Sequence, residues 1–223
     1  MNIIVITQED VFFIPKNIKK LIFEDSINVK GVYIVDGKGS IKNKSFYFFR
    51  GFGILQSIRY GLKLVFKKIK LLINDICFDS KESISLGKTC DQLNIEYKKI
   101  KDPNHVDFLN SIKSKKLDLI VSFSAPIVFK KILLNIPRYG CINLHCSLLP
   151  EYSGLMPSFW VLFKNENYTG VTVHMMDDKI DNGSIIFQKK IDIRNLNTIF
   201  EVIRKTKLEG GNLMIDCIKK IKT

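Results

Sequence analysis

Apolar positions follow two rhythms along this chain: short β-branched runs, and longer stretches with helical spacing. Residues 2–6 (NIIVI) form a compact apolar run that reads as a buried strand. Ile14, Ile18, Leu21 and Ile22 share one helical face, with Pro15 near the first turn where a missing amide proton is tolerated, so a helix is expected over 15–24. Residues 29–35 give a second strand. Strand, helix and strand in so short a space make a βαβ unit, which predicts an α/β class with a mostly parallel central sheet flanked by helices.

Residues 36–50 carry Gly37, Lys38, Gly39 and Ser40 and are expected to form a mobile loop. Residues 51–73 place Ile54, Ile58, Leu62, Val65, Phe66 and Ile69 on one face, with Arg59, Lys63, Lys67, Lys68 and Lys70 around it. This pattern predicts a helix packed on the sheet with its basic face in water; a helix lying on a membrane surface is the competing reading. Further helices are expected over 81–94, 104–114, 157–166 and 197–221, the last with a kink at Gly210–Gly211. Further strands are expected over 94–98, 117–122, 139–145, 171–176 and 184–191. Trp160 reads as a core aromatic.

The chain has 223 residues and is 46% hydrophobic, enough for one folded domain over 1–223. Its net charge of +13 would draw it toward nucleic acid, a membrane surface or a phosphorylated substrate. The lysines are spread along the whole chain, so the charge reads as compositional and no nucleic-acid partner is expected. Five cysteines (Cys77, Cys90, Cys141, Cys146 and Cys217) form no C-x-x-C pair, and an odd number argues against a disulfide framework. No signal peptide or membrane span is apparent, and a cytoplasmic location is the expectation.

The candidate chemistry lies between Cys141 and Gln188. Asn143 and His145 are two residues apart in a strand pattern, so an amide and an imidazole share one face. Cys146 points to the other face and reads as structural. The acidic stretch 177–183 (DDKIDNG) follows a strand pattern and could bring a carboxylate to the same point. His174 alternates with apolar neighbours and reads as a satisfied strand residue; His105 reads as a surface or capping residue. None of the three histidines stands at metal-ligand spacing, so no metal is expected.

The string Asn143-x-His145-x-Ser-Leu-Leu-Pro-x-Tyr152-x-Gly154, then Trp160, then Thr-Gly-Val-Thr-Val-His174, then Asp181-x-Gly183 resembles the folate-dependent formyltransferases. That family comprises the glycinamide ribonucleotide, methionyl-tRNA and amino-sugar enzymes. The resemblance implies a Rossmann-like formyltransferase fold with C-terminal strands and a closing helix, and N10-formyltetrahydrofolate as co-substrate. It implies Asn143, His145 and Asp181 as catalytic residues. It also implies folate contacts at Phe123, Ser124, Ala125, Pro126 and Ile127, and at Met176, Asp177 and Asp178. Acceptor contacts are expected at Gln8, Asp10, Tyr152, Ser153 and Gly154, with lysines of the 36–70 region near a diphosphate, and a homodimer is an expectation of the family.

The purine-synthesis branch has a Gly- and Ser-rich phosphate loop after its first strand. Here that place is Thr7-Gln8-Glu9-Asp10-Val11-Phe12-Phe13, with no glycine and two acids. The tRNA enzymes carry a further C-terminal domain. By elimination the resemblance favours a nucleotide-linked, dTDP-type amino-dideoxy sugar of surface polysaccharide (O-antigen, lipopolysaccharide) synthesis. Glycinamide ribonucleotide or methionyl-tRNA as acceptor, a folate hydrolase, and a non-catalytic basic binding protein remain the other readings.

Overall fold

A computed structural model describes residues 1–35, 54–77 and 85–222. The expected loop at 36–50 and the ends of two expected helices, at 51–53 and 81–84, lie outside the described residues. The order is β1 (Asn2–Gln8), α1 (Ile14–Ile22), β2 (Asn28–Val35), α2 (Ile54–Cys77), α3 (Leu86–Gln92), β3 (Glu96–Ile100), α4 (Val106–Lys113) and β4 (Leu119–Phe123). There follow α5 (Lys131–Leu134), β5 (Cys141–His145), α6 (Pro157–Phe163), β6 (Tyr168–Met175), β7 (Ile185–Asp192) and α7 (Ile199–Lys222).

Seven strands form one sheet in the order β3-β2-β1-β4-β5-β6-β7. The pairs from β3 to β5 are parallel, and β5–β6 and β6–β7 are antiparallel. The chain therefore winds outward from β1 on one side and resumes at β4 on the other. In open α/β sheets, the carboxyl ends of the strands at such a reversal form a crevice suited to a ligand.

Burial on both sheet faces explains the continuous apolar runs in β1 and β4. Along β1, Ile3 and Val5 join Ile18, Leu21, Val202 and Met214 of α1 and α7 on one face. Ile4 and Ile6 join Phe108, Ile112 and Phe129 on the other. The period-2 alternation of side chains divides one apolar strand between two cores.

Two expectations need correction. The apolar face of α2 is not laid on the sheet: Ile58, Leu62, Val65, Ile69, Leu72 and Ile76 are between 49% and 76% exposed. Trp160 is not a core residue: it is 45% exposed, edge-on to Phe159 and Phe163 on α6. Only one stripe of that seven-residue helix, with Ser158 and Val161, is buried. The glycines of the closing helix have a packing use. The helix runs unbroken over 199–222, and Gly210 and Gly211 let it approach Leu144 and Asn17 closely.

Candidate active site

β5 presents Asn143 and His145 on one face, as their spacing requires, while Ile142 and Leu144 enter the core beneath α7. β6 runs antiparallel to it, with Asn143 opposite His174. The loop after β6 returns Asp181 to the same point. Two glycines make this return possible. A Cβ at Gly183 would lie 1.8 Å from the Met175 carbonyl oxygen, so only glycine fits there. Gly154 has φ +87° and donates its amide to Asp181 Oδ2 at 2.8 Å. The Tyr-x-Gly and Asp-x-Gly segments are thus two sides of one contact.

Asp181 is held between two imidazoles. His145 Nδ1 lies 3.2 Å from Oδ2, and His174 Nε2 lies 3.6 Å from Oδ1. Burial alone would raise the Asp181 carboxyl. His145 and the Gly154 amide outweigh it and hold the group below the usual carboxylate range, hence ionised near neutrality.

The opposite balance governs His145. Burial pushes its pKa down, while Asp181 and the Tyr152 carbonyl pull it up; burial prevails, helped by His174 and Lys207. His145 is therefore neutral near pH 7. Its Nε2 is 2.8 Å from the Tyr152 carbonyl oxygen, so both ring nitrogens face oxygen acceptors while only one carries a proton.

His174 was read from sequence as a satisfied strand residue, and it is buried. Its Nδ1 donates to the Met175 carbonyl at 2.7 Å, which leaves Nε2 to accept from Asn143 Nδ2 at 3.2 Å. It also belongs to the polar cluster, which its alternation with apolar neighbours did not reveal. Asn143 uses one amide hydrogen on His174. It is the least buried residue of β5, so its second hydrogen has room for a ligand.

These groups open into a cavity of about 610 Å³ beyond the strand ends. Gln8 lines it from the end of β1 and Asp10 from the loop just after it, and Ser124, Ala125, Pro126 and Ile127 from the segment after β4. Met176, Asp177, Gly154 and the Asn143–His145–Asp181 group complete the side nearest β5 and β6.

Four expected contacts lie elsewhere. Phe123 is fully buried in the core, because alternation along β4 turns its side chain away from the strand end. Asp178 is exposed and pairs with Lys131 at 3.5 Å. Tyr152 contributes its carbonyl to His145 while its hydroxyl binds Glu166, and Ser153 is exposed to water. Tyr152 and Ser153 precede the tight turn at Gly154, which carries their side chains off the cavity wall.

Several lining residues were not expected, Lys207, Cys146 and Phe13 among them. Lys207 of α7 donates to the Ser124 hydroxyl at the cavity wall. Cys146 lines the cavity although it reads as structural in sequence. Phe13 extends the wall toward Phe12 and Phe200. Asp10 also does more than face the cavity: one carboxylate oxygen accepts the amides of Phe12, Phe13 and Ile14 at 2.7–2.9 Å.

Fold and site define an open α/β protein with an amide–imidazole–carboxylate group at the carboxyl ends of its strands. Residues 87–218 match the formyl transferase family, and the chain belongs to that family. Among its relatives are the methionyl-tRNA formyltransferases of Caldicellulosiruptor saccharolyticus (37% identical over 115 residues) and Thermodesulfovibrio yellowstonii (36% over 124). These alignments cover 52% and 56% of this chain, but only 37% and 39% of the relatives.

Over the whole fold, the chain resembles phosphoribosylglycinamide formyltransferase from Bacillus halodurans. The TM-score is 0.69 at 15% identity, covering 99% of this chain and 95% of that one. It also resembles a sugar N-formyltransferase from a Shewanella species. There the TM-score is 0.60 at 17% identity, covering 98% and 68%.

Proposed function

We propose that this chain transfers a formyl group from N10-formyltetrahydrofolate to the amine of a nucleotide-linked, dTDP-type amino-dideoxy sugar. The observation that carries formyl transfer is the convergence of Asn143, His145 and ionised Asp181 on one cavity. A folate fits this site in kind: the cavity has the volume of a small-ligand pocket, with an apolar wall at 125–129 leading to the polar group. When bound, the co-substrate supplies an activated formyl group for acyl transfer.

The residues of the chain divide the work. The free amide hydrogen of Asn143 meets the formyl oxygen as negative charge develops there. Neutral His145 takes up a proton as the amine nitrogen loses one, directly or through a water. That second proton gives its other nitrogen a hydrogen-bond partner and places a cation beside the Asp181 carboxylate. Burial disfavours the same protonation at rest, so His145 stays a base until charge develops. His174 orients the Asn143 amide and flanks Asp181.

The choice of acceptor is supported by Asp10. A phosphate bound after β1 would need the amides of residues 12–14, and the Asp10 carboxylate already takes all three. An acceptor whose phosphate sits there, as the resemblance describes for glycinamide ribonucleotide, is disfavoured both by the occupied amides and by the charge of Asp10. The names of the sequence relatives keep methionyl-tRNA as the second reading.

The test is release of tetrahydrofolate against a panel of dTDP- and UDP-amino sugars, glycinamide ribonucleotide and methionyl-tRNA. Turnover is expected on an amino sugar, and Asn143→Ala is expected to lower kcat about 10²- to 10³-fold. Turnover on glycinamide ribonucleotide or methionyl-tRNA alone would overturn the sugar assignment. Amine-independent release of formate would replace transfer with hydrolysis.

A further inference from the structure

We propose that α2 is an in-plane docking helix for an anionic phospholipid surface. Ile58, Leu62, Val65, Ile69, Leu72 and Ile76 follow one another at alternating four- and three-residue steps, and each is about half exposed or more. Phe66, 69% exposed, and Ile73, 49% exposed, widen this stripe to an arc of about 120° on a helical projection. The helix meets the body of the protein by another side. Ser57 is 5% exposed, and Tyr60 lies 5.5 Å from the Phe200 ring at the start of α7. The apolar arc therefore faces away from the body, and among the described residues no element covers it.

Charge selects the occupant. Arg59, Lys68 and Lys70 flank the arc, while Lys63 lies over the Tyr60 and Phe200 rings and Lys67 is half-buried on the far side; Asp75 is the single acid of the helix. That carboxylate is taken by the Ser85 amide at 2.6 Å. Long basic side chains beside an apolar arc can bury their stems while their heads reach phosphate groups. Anionic headgroups complement Arg59, Lys68 and Lys70 beside the arc.

A second copy of the chain would instead bring two such sets of cations together. The positions flanking the stripe are Arg59, Gly61, Phe66, Lys68, Ile73 and Asp75, and the single acid among them already accepts the Ser85 amide, so a second helix would meet mainly like charge there. The arc is also broader than a two-residue coiled-coil seam. At about 36 Å long, the helix is well suited to lie along a surface. No described helix is long and apolar enough to cross a membrane, so the contact is peripheral.

The position of α2 gives the contact a consequence. Phe200, which Tyr60 touches, is 5.3 Å from Phe13, a cavity-lining residue, and it follows Ile199, another. Docking along α2 holds this side of the cavity near the headgroups, within reach of an acceptor presented at the membrane. The inference itself does not rest on formyl transfer.

The test is flotation of the full chain with phosphatidylcholine vesicles, with and without phosphatidylglycerol. At least about tenfold more protein should float with the anionic vesicles, and less as salt rises. Leu62→Glu/Ile69→Glu should abolish binding and Leu62→Ala/Ile69→Ala should weaken it, both with unchanged circular dichroism. Arg59→Glu/Lys68→Glu/Lys70→Glu should remove the preference for anionic lipid. Equal flotation with both vesicle types, or binding indifferent to the apolar substitutions, overturns the proposal. A concentration-dependent dimer in light scattering, lost with Leu62→Glu/Ile69→Glu and without vesicle binding, would assign the face to a second copy.

Discussion

Among the described residues two helices run for 24 residues each, α2 and α7, and they are used in opposite ways. Both carry apolar residues at helical spacing. α7 buries Val202, Met214, Cys217 and Ile218 against β5, β6 and α1, each at most 1% exposed. α2 turns an apolar face of similar length away from the body. Amphipathic spacing thus declares that a face exists, while what covers it is settled by the rest of the fold. α7 can cover the sheet because its small residues let it come close: a Cβ at Gly210 would lie 2.6 Å from Leu144 Cδ2. α2 has one glycine, Gly61, and a Cβ there would meet nothing within 4 Å.

The largest difference should appear on truncating the buried helix. Met214→Ala removes a fully buried side chain between α7 and the sheet, and its expected cost is about 2–5 kcal/mol. Urea unfolding followed by far-UV circular dichroism would read it. A loss below about 1 kcal/mol would show that α7 packs more loosely than its burial implies.

The next effect tests the close approach. Gly210→Ala introduces a methyl against Leu144, the residue between Asn143 and His145. Overpacking of this kind costs about 1–3 kcal/mol, and here the strain falls on the strand that carries the site. The expected result is a loss of kcat beyond what the unfolded fraction explains. Equal kcat per folded molecule would show that Leu144 yields without moving its neighbours.

A smaller effect separates the helices by pH. Lys207 of α7 lines the same cavity as His145, and its charge adds to the burial that lowers the His145 pKa. The unfolded chain therefore takes up this proton first, at the ordinary value of 6.5, and stability falls as pH drops below it toward the lower folded value. Asp181 adds a further loss in stronger acid: its folded pKa is depressed below 3.8, so its stabilisation disappears as pH falls through that lower range. His145→Gln should flatten the stability profile just below pH 6.5, while substitutions on the apolar face of α2 leave it unchanged. Parallel profiles for wild type and His145→Gln would remove His145 as the source of the slope.

The contrast between the helices also marks what could be read in the sequence. Asn143 and His145 were legible because period 2 is local, and the sheet half from β1 to β5 followed from βαβ spacing. The separation of Gly154 from Asp181 showed no contact in sequence, although both belonged to the recognised string. His174 was missed as a site member because its place opposite Asn143 depends on the register of β5 and β6, which alternation within one strand does not reveal. Lys207 enters from a helix 62 positions after His145, and only tertiary packing brings it to the cavity. Asp10 was seen as a charge that repels phosphate, and its larger role is to occupy the amides a phosphate would use. For α2 and Trp160, apolar character suggests burial, but the cover supplied by the rest of the chain differs.

The smallest effect is the sharpest test of the comparison. Leu62→Ala on α2 removes the same kind of apolar bulk as Met214→Ala on α7, yet Leu62 is 55% exposed and leaves little cavity behind. In water alone the stability change should stay within about 0.5 kcal/mol, and the more helix-favouring alanine offsets part of any lost contact. With anionic vesicles present, the two helices should exchange roles: Leu62→Ala then weakens binding, whereas Met214→Ala leaves the docking face intact in the folded fraction. A cost of about 2 kcal/mol for Leu62→Ala without vesicles would mean that another part of the chain covers this face in solution, and the two helices would then be alike.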